Sequence, residues 1–88
     1  MHPLSLKEKV VLWNSYENGA KFITRDSFGT ICIYWNKPEK GRVGWINTGY
    51  GHYEYITDDA FLKFIKWEDD EPYEIEKLLD IKEGDIDE

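Results

Sequence analysis

The sequence predicts an α+β fold, with an N-terminal helix packed on an antiparallel sheet of about four strands and a short acidic C-terminal helix. Three observations carry this prediction. Apolar residues recur at helical spacing in residues 5–17, β-rich runs separated by turn residues fill 20–57, and an acidic stretch with a proline and a narrow apolar stripe closes the chain. With 88 residues, 41% of them apolar, and four Trp, six Tyr and four Phe, the chain can fill one modest core without disulfides. Residues 1–88 therefore read as a single domain, with a body over 1–66 and an acidic segment over 67–88.

The first helix lies in "LSLKEKVVLWNSYENGA". Ser5 followed by Glu8 forms a capping-box pair that satisfies two free amides reciprocally. Leu6, Val10 and Trp13 fall on one stripe and are expected to lie on the sheet. Asn18-Gly19 supplies the stop, because glycine accepts the left-handed conformation that closes a helix.

Residues 20–25 and 30–36 flank Asp26-Ser27-Phe28-Gly29 and read as a hairpin. Along its second strand Ile31, Ile33 and Trp35 share one side and Thr30, Cys32 and Tyr34 the other, so neither face is clearly polar. "NKPEKG" reads as a loop. "RVGWIN", Thr48-Gly49 and "YGHYEYIT" predict a second hairpin, in which Tyr53 and Tyr55 oppose His52, Glu54 and Ile56 across the pleat. Asp58-Asp59 would cap a short turn carrying Phe61, Leu62 and Ile65, after which Trp67 pins the chain to the body. Asp70-Glu71-Pro72 predicts the start of a last helix with Ile75, Leu78 and Leu79 as its apolar stripe. Fraying is expected in "GDIDE".

Several functional classes find little support. No segment approaches the roughly 18–20 apolar residues of a membrane span, so a soluble, cytoplasmic chain is expected. The single Cys32 sits in a strand as a small hydrophobe. With only His2 and His52 and one cysteine, no zinc-ligand spacing exists, and no cofactor or metal is implied. His52 and Glu54 project to the same side of a strand and read as a solvent-facing polar pair, with no phosphate loop or nucleophile elbow nearby, so an enzyme is not expected. Direct nucleic-acid binding would use Lys21, Arg25, Lys37, Lys40, Arg42, Lys63 and Lys66 as a rim around stacking aromatics. The acidic end would compete for that same rim and repel phosphate.

Charge is the most uneven property of the chain. Residues 1–66 carry nine Lys/Arg against seven Asp/Glu, whereas 67–88 carry two Lys against eleven Asp/Glu, and the whole is −7. Such a run usually serves as a solvated face. Its alternative use is a negative strip offered to a basic groove on another protein, a DNA mimic that imitates nucleic-acid phosphate. Glu68, Asp69, Asp70, Glu71, Glu74 and Glu76 would supply the field, and Trp67 and Tyr73 the contact anchors.

Two stretches, "NGAKFITRDSFGTICIYWNKP" and "FIKWEDDEPYEI", give the chain a resemblance to known proteins. With an N-terminal helix, a Gly-x-Lys strand, an Arg-Asp turn with Gly and a closing Trp-acidic-Pro segment, it resembles small accessory proteins of phages and prophages of Gram-positive bacteria. It is also similar to phage anti-defence proteins that begin with a helix and continue into an aromatic sheet, some of which sequester cyclic-nucleotide signals. These motifs are structural punctuation, so no binding residue transfers. The resemblance implies a compact inhibitor that works by occupancy. The leading expectation is therefore a phage-type protein that binds a host protein with a basic surface, such as a nucleic-acid-handling defence factor, through its acidic aromatic end. The alternative is a small-molecule sequestering protein, with Arg42, Trp45, Tyr50 and Tyr53 lining a pocket between protomers. A structural or dimerisation module is the third, since aromatics on both sheet faces leave one face for a homodimer to bury.

Overall fold

The structure is a computed structural model that describes residues 4–49, 51–56 and 61–80. In chain order it contains α1 (Leu6–Glu17), β1 (Phe22–Arg25), β2 (Ile31–Tyr34), β3 (Glu39–Lys40), β4 (Trp45–Ile46), β5 (Tyr53–Ile56), β6 (Tyr73–Glu74) and α2 (Ile75–Leu78). Four antiparallel strands form one sheet in the order β5-β2-β1-β6, and β3 and β4 form a separate two-stranded ribbon. The fold is thus α+β, with an N-terminal helix, a four-stranded antiparallel sheet and a short C-terminal helix. Among the described residues no helix is long and apolar enough to cross a membrane.

The capping box forms as the sequence predicts. Ser5 N–H donates to Glu8 Oε1 at 2.9 Å and Glu8 N–H to Ser5 Oγ at 3.1 Å. The other carboxylate oxygen of Glu8 accepts the Leu62 amide at 2.7 Å, which ties the helix start to the turn over 61–65. That bond turns the helix away from the expected orientation. Glu8 faces the protein interior and Leu12, one turn on, follows it into the core at 0% exposure. Leu6, Val10 and Trp13 remain 78%, 50% and 43% exposed. The helix has a second apolar stripe, through Val11, Leu12 and Tyr16, and this is the one that packs.

The β1–β2 hairpin is built on Asp26, whose Oδ1 accepts both Phe28 N–H at 2.9 Å and Thr30 N–H at 3.0 Å. Ile23, Ile31 and Ile33 share one face of the sheet and join Leu12, Phe61, Leu62, Ile65 and Ile75 in a single buried cluster. Arg25 lies on this face too. Its guanidinium donates to the carbonyls of Ile65 at 2.7 Å, Phe61 at 2.6 Å, Leu62 at 3.1 Å and also Gly29. It is therefore a part-buried brace for the 61–65 turn, withdrawn from the basic rim the sequence suggested.

Two expectations of pairing differ from the structure. The run after Pro38 does not pair with Tyr53–Ile56. It folds back on Glu39–Lys40, because Gly41 N–H meets Gly44 O at 2.9 Å in a turn so close that a Cβ on residue 41 would lie 2.7 Å from that oxygen. Tyr53–Ile56 pairs instead with β2, through Tyr34↔Tyr53 and Cys32↔Tyr55. The second difference is at the acidic end. Tyr73 pairs with Ile23 and Glu74 with Phe22, so the chain runs as an edge strand where a helix start was expected, and the helix itself is confined to Ile75–Leu78. Proline just before a short edge strand is tolerated because it needs no ladder donor there. Ile75 is fully buried and Leu78 and Leu79 pack against the core, as their spacing predicts. The Asp58-Asp59 cap and the end of the chain from residue 81 lie outside the described residues.

Candidate functional site: an aromatic slot beside an acidic strip

Side chains of the second sheet face are set by the β2–β5 register. Tyr34 opposite Tyr53 and Cys32 opposite Tyr55 put three phenol rings on one side. Tyr34 and Tyr53 are stacked with centroids 6.3 Å apart, and Tyr55 meets Tyr53 edge-on at 5.7 Å. Over this face comes the ribbon, held by Ser27 N–H to Val43 O at 3.0 Å and by the Tyr34 hydroxyl, which donates to Trp45 O at 3.3 Å. The ribbon thus meets the face that a second protomer was expected to bury, while Tyr53 and Tyr55 on that face remain 45% and 62% exposed.

Between ribbon and sheet lies an open-sided slot of about 140 Å³ lined by Tyr34, Trp45, Asn47, Tyr53 and Tyr55. A dry cavity of roughly 150 Å³ accommodates one benzene ring, and the slot has a comparable volume but is open on one side. Asn47 Nδ2 donates to Gly51 O at 2.6 Å, which fixes the amide and turns Oδ1 the other way. Oδ1 of Asn47 and Nε1 of Trp45 are then buried with no hydrogen-bond partner. Burial, followed by contact with the Cys32 thiol, pushes the Tyr34 phenol above its ordinary range. Burial is likewise the first cause of the upward shift at Tyr55, followed by Cys32 and Tyr53. These two phenols are neutral at physiological pH.

Of the residues predicted for a pocket, the structure brings Trp45 and Tyr53 together. Arg42 is exposed and is not among the lining residues, and Tyr50 lies outside the described residues. Tyr34, Asn47 and Tyr55 were missed. The alternation that puts Tyr53 and Tyr55 on one side was visible in the sequence, but their meeting with Tyr34 depends on strand pairing.

The acidic segment is stapled to the body. Lys40 Nζ sits 4.4 Å from the Trp67 ring centroid and 5.5 Å from that of Trp45, and donates to Trp67 O and, at 2.7 Å, to Asp69 O. Asp69 accepts the Lys66 amide at 2.9 Å, Glu71 pairs with Lys37 at 3.4 Å, and Glu74 with Lys77 at 2.7 Å. Tyr73 packs edge-on against Phe64 at 5.6 Å beside the core, where burial and then Asp69 raise its phenol above the ordinary range. Glu68, Asp70 and Glu76 are exposed, without an ion pair among the described residues. Trp67 is half-buried.

His52 bonds Glu54 at 3.2 Å on the surface and lies edge-on to Trp35 at 4.8 Å. Among the described residues no three His, Cys, Asp or Glu side chains gather as a metal site. Compared with known proteins, the chain matches no family model, no curated protein and no solved structure, and the functional argument therefore rests on geometry.

Proposed function

We propose that this chain is a non-enzymatic binding protein that takes up one small planar ligand in the slot between the β3–β4 ribbon and the sheet. The observation that carries this reading is the pair of unmet polar atoms, Trp45 Nε1 and Asn47 Oδ1, among residues that wall an aromatic slot. A buried donor or acceptor without a partner costs roughly 1–3 kcal/mol, and folded proteins seldom leave two in one small site. A ligand that satisfied both would recover that cost. Thermal unfolding with a panel of ring compounds tests the reading, because a ligand bound only by the folded chain raises the melting temperature. A panel that leaves the transition unmoved refutes it.

A second reading is favoured by Glu68, Asp70 and Glu76, which are exposed and form no ion pair among the described residues, on a strip that the Lys40 staple and the β1–β6 pairing hold in place. A preordered strip loses little freedom on binding, and its charge speeds encounter with a basic surface. In the phage setting suggested by the sequence, the partner would be a host protein in the cytoplasm, a nucleic-acid-handling defence factor inhibited by occupancy. Replacing Glu68, Asp70 and Glu76 together by Lys should abolish that binding; unchanged affinity would refute the reading.

A further inference from the structure

We infer that β5 is a docking edge for a second copy of this chain, so that two four-stranded sheets join into one across a two-fold axis at Tyr53. The inference goes beyond the slot reading and does not depend on it.

It starts from the direction in which the main chain of β5 points. Trp35 N–H donates to His52 O at 3.1 Å, and the register pairs Ile33 with Glu54 and Ile31 with Ile56. Ladder bonds in an antiparallel pair fall on alternate residues, so His52, Glu54 and Ile56 bond β2 while Tyr53 and Tyr55 turn their N–H and C=O groups outward. β5 is the last strand on its side of the sheet, and among the described residues no hydrogen bond reaches those outward groups. Tyr53, Glu54 and Tyr55 are all exposed. Edges are commonly blunted by proline, lysine or a bulge, and Tyr53–Ile56 has none of these.

The side chains then choose the occupant. A register that sets Tyr53 opposite the partner's Tyr55 puts Glu54 directly against the partner's Glu54, two like charges in the closest kind of cross-strand pair. A register with Tyr53 opposite the partner's Tyr53 sets each Glu54 opposite a His52 instead, twice by symmetry. Within one chain these side chains already bond each other at 3.2 Å on the surface, so in the pair each carboxylate lies between two imidazoles. The same register sets Tyr55 opposite Gly51, which has no side chain to compete for the ring's place. Gly51 O accepts from Asn47 and keeps a second lone pair for the ladder. A contact of this isologous kind closes at two copies.

The chain is −7, and its acidic end enters the sheet at β6, the opposite edge. Three strand spacings separate the edges by roughly 14 Å, more than a Debye length of about 8 Å, so salt screens Glu74 and Glu76 from the second copy. Four residues per strand make a small interface and a weak dimer, half associated at on the order of 10 µM.

The test is sedimentation of the whole protein from about 1 to about 500 µM, with amide hydrogen exchange at both ends of that range. A dimer is expected at the upper end, with the Tyr53 and Tyr55 amides exchanging about tenfold more slowly there than when dilute, and those of Glu54 and Ile56 slow at both. Glu54→His sets imidazole against imidazole and His52→Glu sets carboxylate against carboxylate, so each should weaken pairing about tenfold. An equal mixture of these two variants restores opposite partners at both positions and should pair as the unsubstituted chain does. A monomer across the whole range overturns the proposal, as does a dimer whose Tyr53 and Tyr55 amides stay fast. A mixture that pairs no better than either variant alone overturns the register.

Discussion

Replacing Arg25 by Met tests the account of the core most directly. The guanidinium donates to four carbonyls, those of Gly29, Phe61, Leu62 and Ile65, and so joins the hairpin end to the 61–65 turn. A hydrogen bond from a charged donor contributes roughly 1.5–3 kcal/mol. If water reaches half of the four carbonyls after the substitution, the loss is about 3–6 kcal/mol by the same scale. A chain of this length has roughly 4–13 kcal/mol in total. Equilibrium urea unfolding should therefore show the midpoint falling by about 1 M or more, given a slope of roughly 1–3 kcal/mol per molar urea. Arg25→Lys should recover only part, because an ammonium cannot span the fork of acceptors. A loss below about 1 kcal/mol for Arg25→Met, the value of an ordinary single bond, would refute the brace.

Other expectations follow from the same geometry. Leu12→Ala should cost about 2–5 kcal/mol in thermal or urea unfolding, whereas Val10→Ala should stay within about 1 kcal/mol; the reverse order would restore the stripe expected from the sequence. Tyr34 is held protonated by burial, so its contribution to stability is complete below the ordinary phenol range and is lost as pH rises through its elevated folded value. Tyr34→Phe should flatten the alkaline decline in urea midpoint, and an unaltered decline would count against that burial. Binding by the acidic strip should weaken steeply between low and high salt, as read by affinity capture from bacterial lysate at two ionic strengths. Self-association is checked by sedimentation at micromolar concentration, where a single monomeric species would remove the homodimer.

Local chemistry made much of this fold legible. The Ser5/Glu8 cap, the Asn18-Gly19 stop and the Asp26–Gly29 reversal each depend on neighbours in sequence, and all three are realised. What could not be read is decided by contacts across the chain. Residues 6–17 carry two apolar stripes, and the one that packs is the one whose side also brings Glu8 to the Leu62 amide. The pairing of β5 with β2 depends on the ribbon turning back at Gly41, and the Tyr73–Glu74 strand on an edge offered by β1. The site shows the same division. Trp45 and Tyr53 stood out as aromatics, whereas Asn47 gained meaning only when Gly51 O claimed one end of its amide.

The position of Lys40 between two indoles has a thermodynamic corollary. One indole belongs to the ribbon and the other to the carboxylate-rich end, so a single ammonium is shared by both regions. An outward movement of the ribbon that carried this cation from Trp67 would alter the field presented by the neighbouring acids. Linkage is reciprocal: whatever factor a slot occupant applied to association at the far surface, a macromolecule there would apply in return to the occupant.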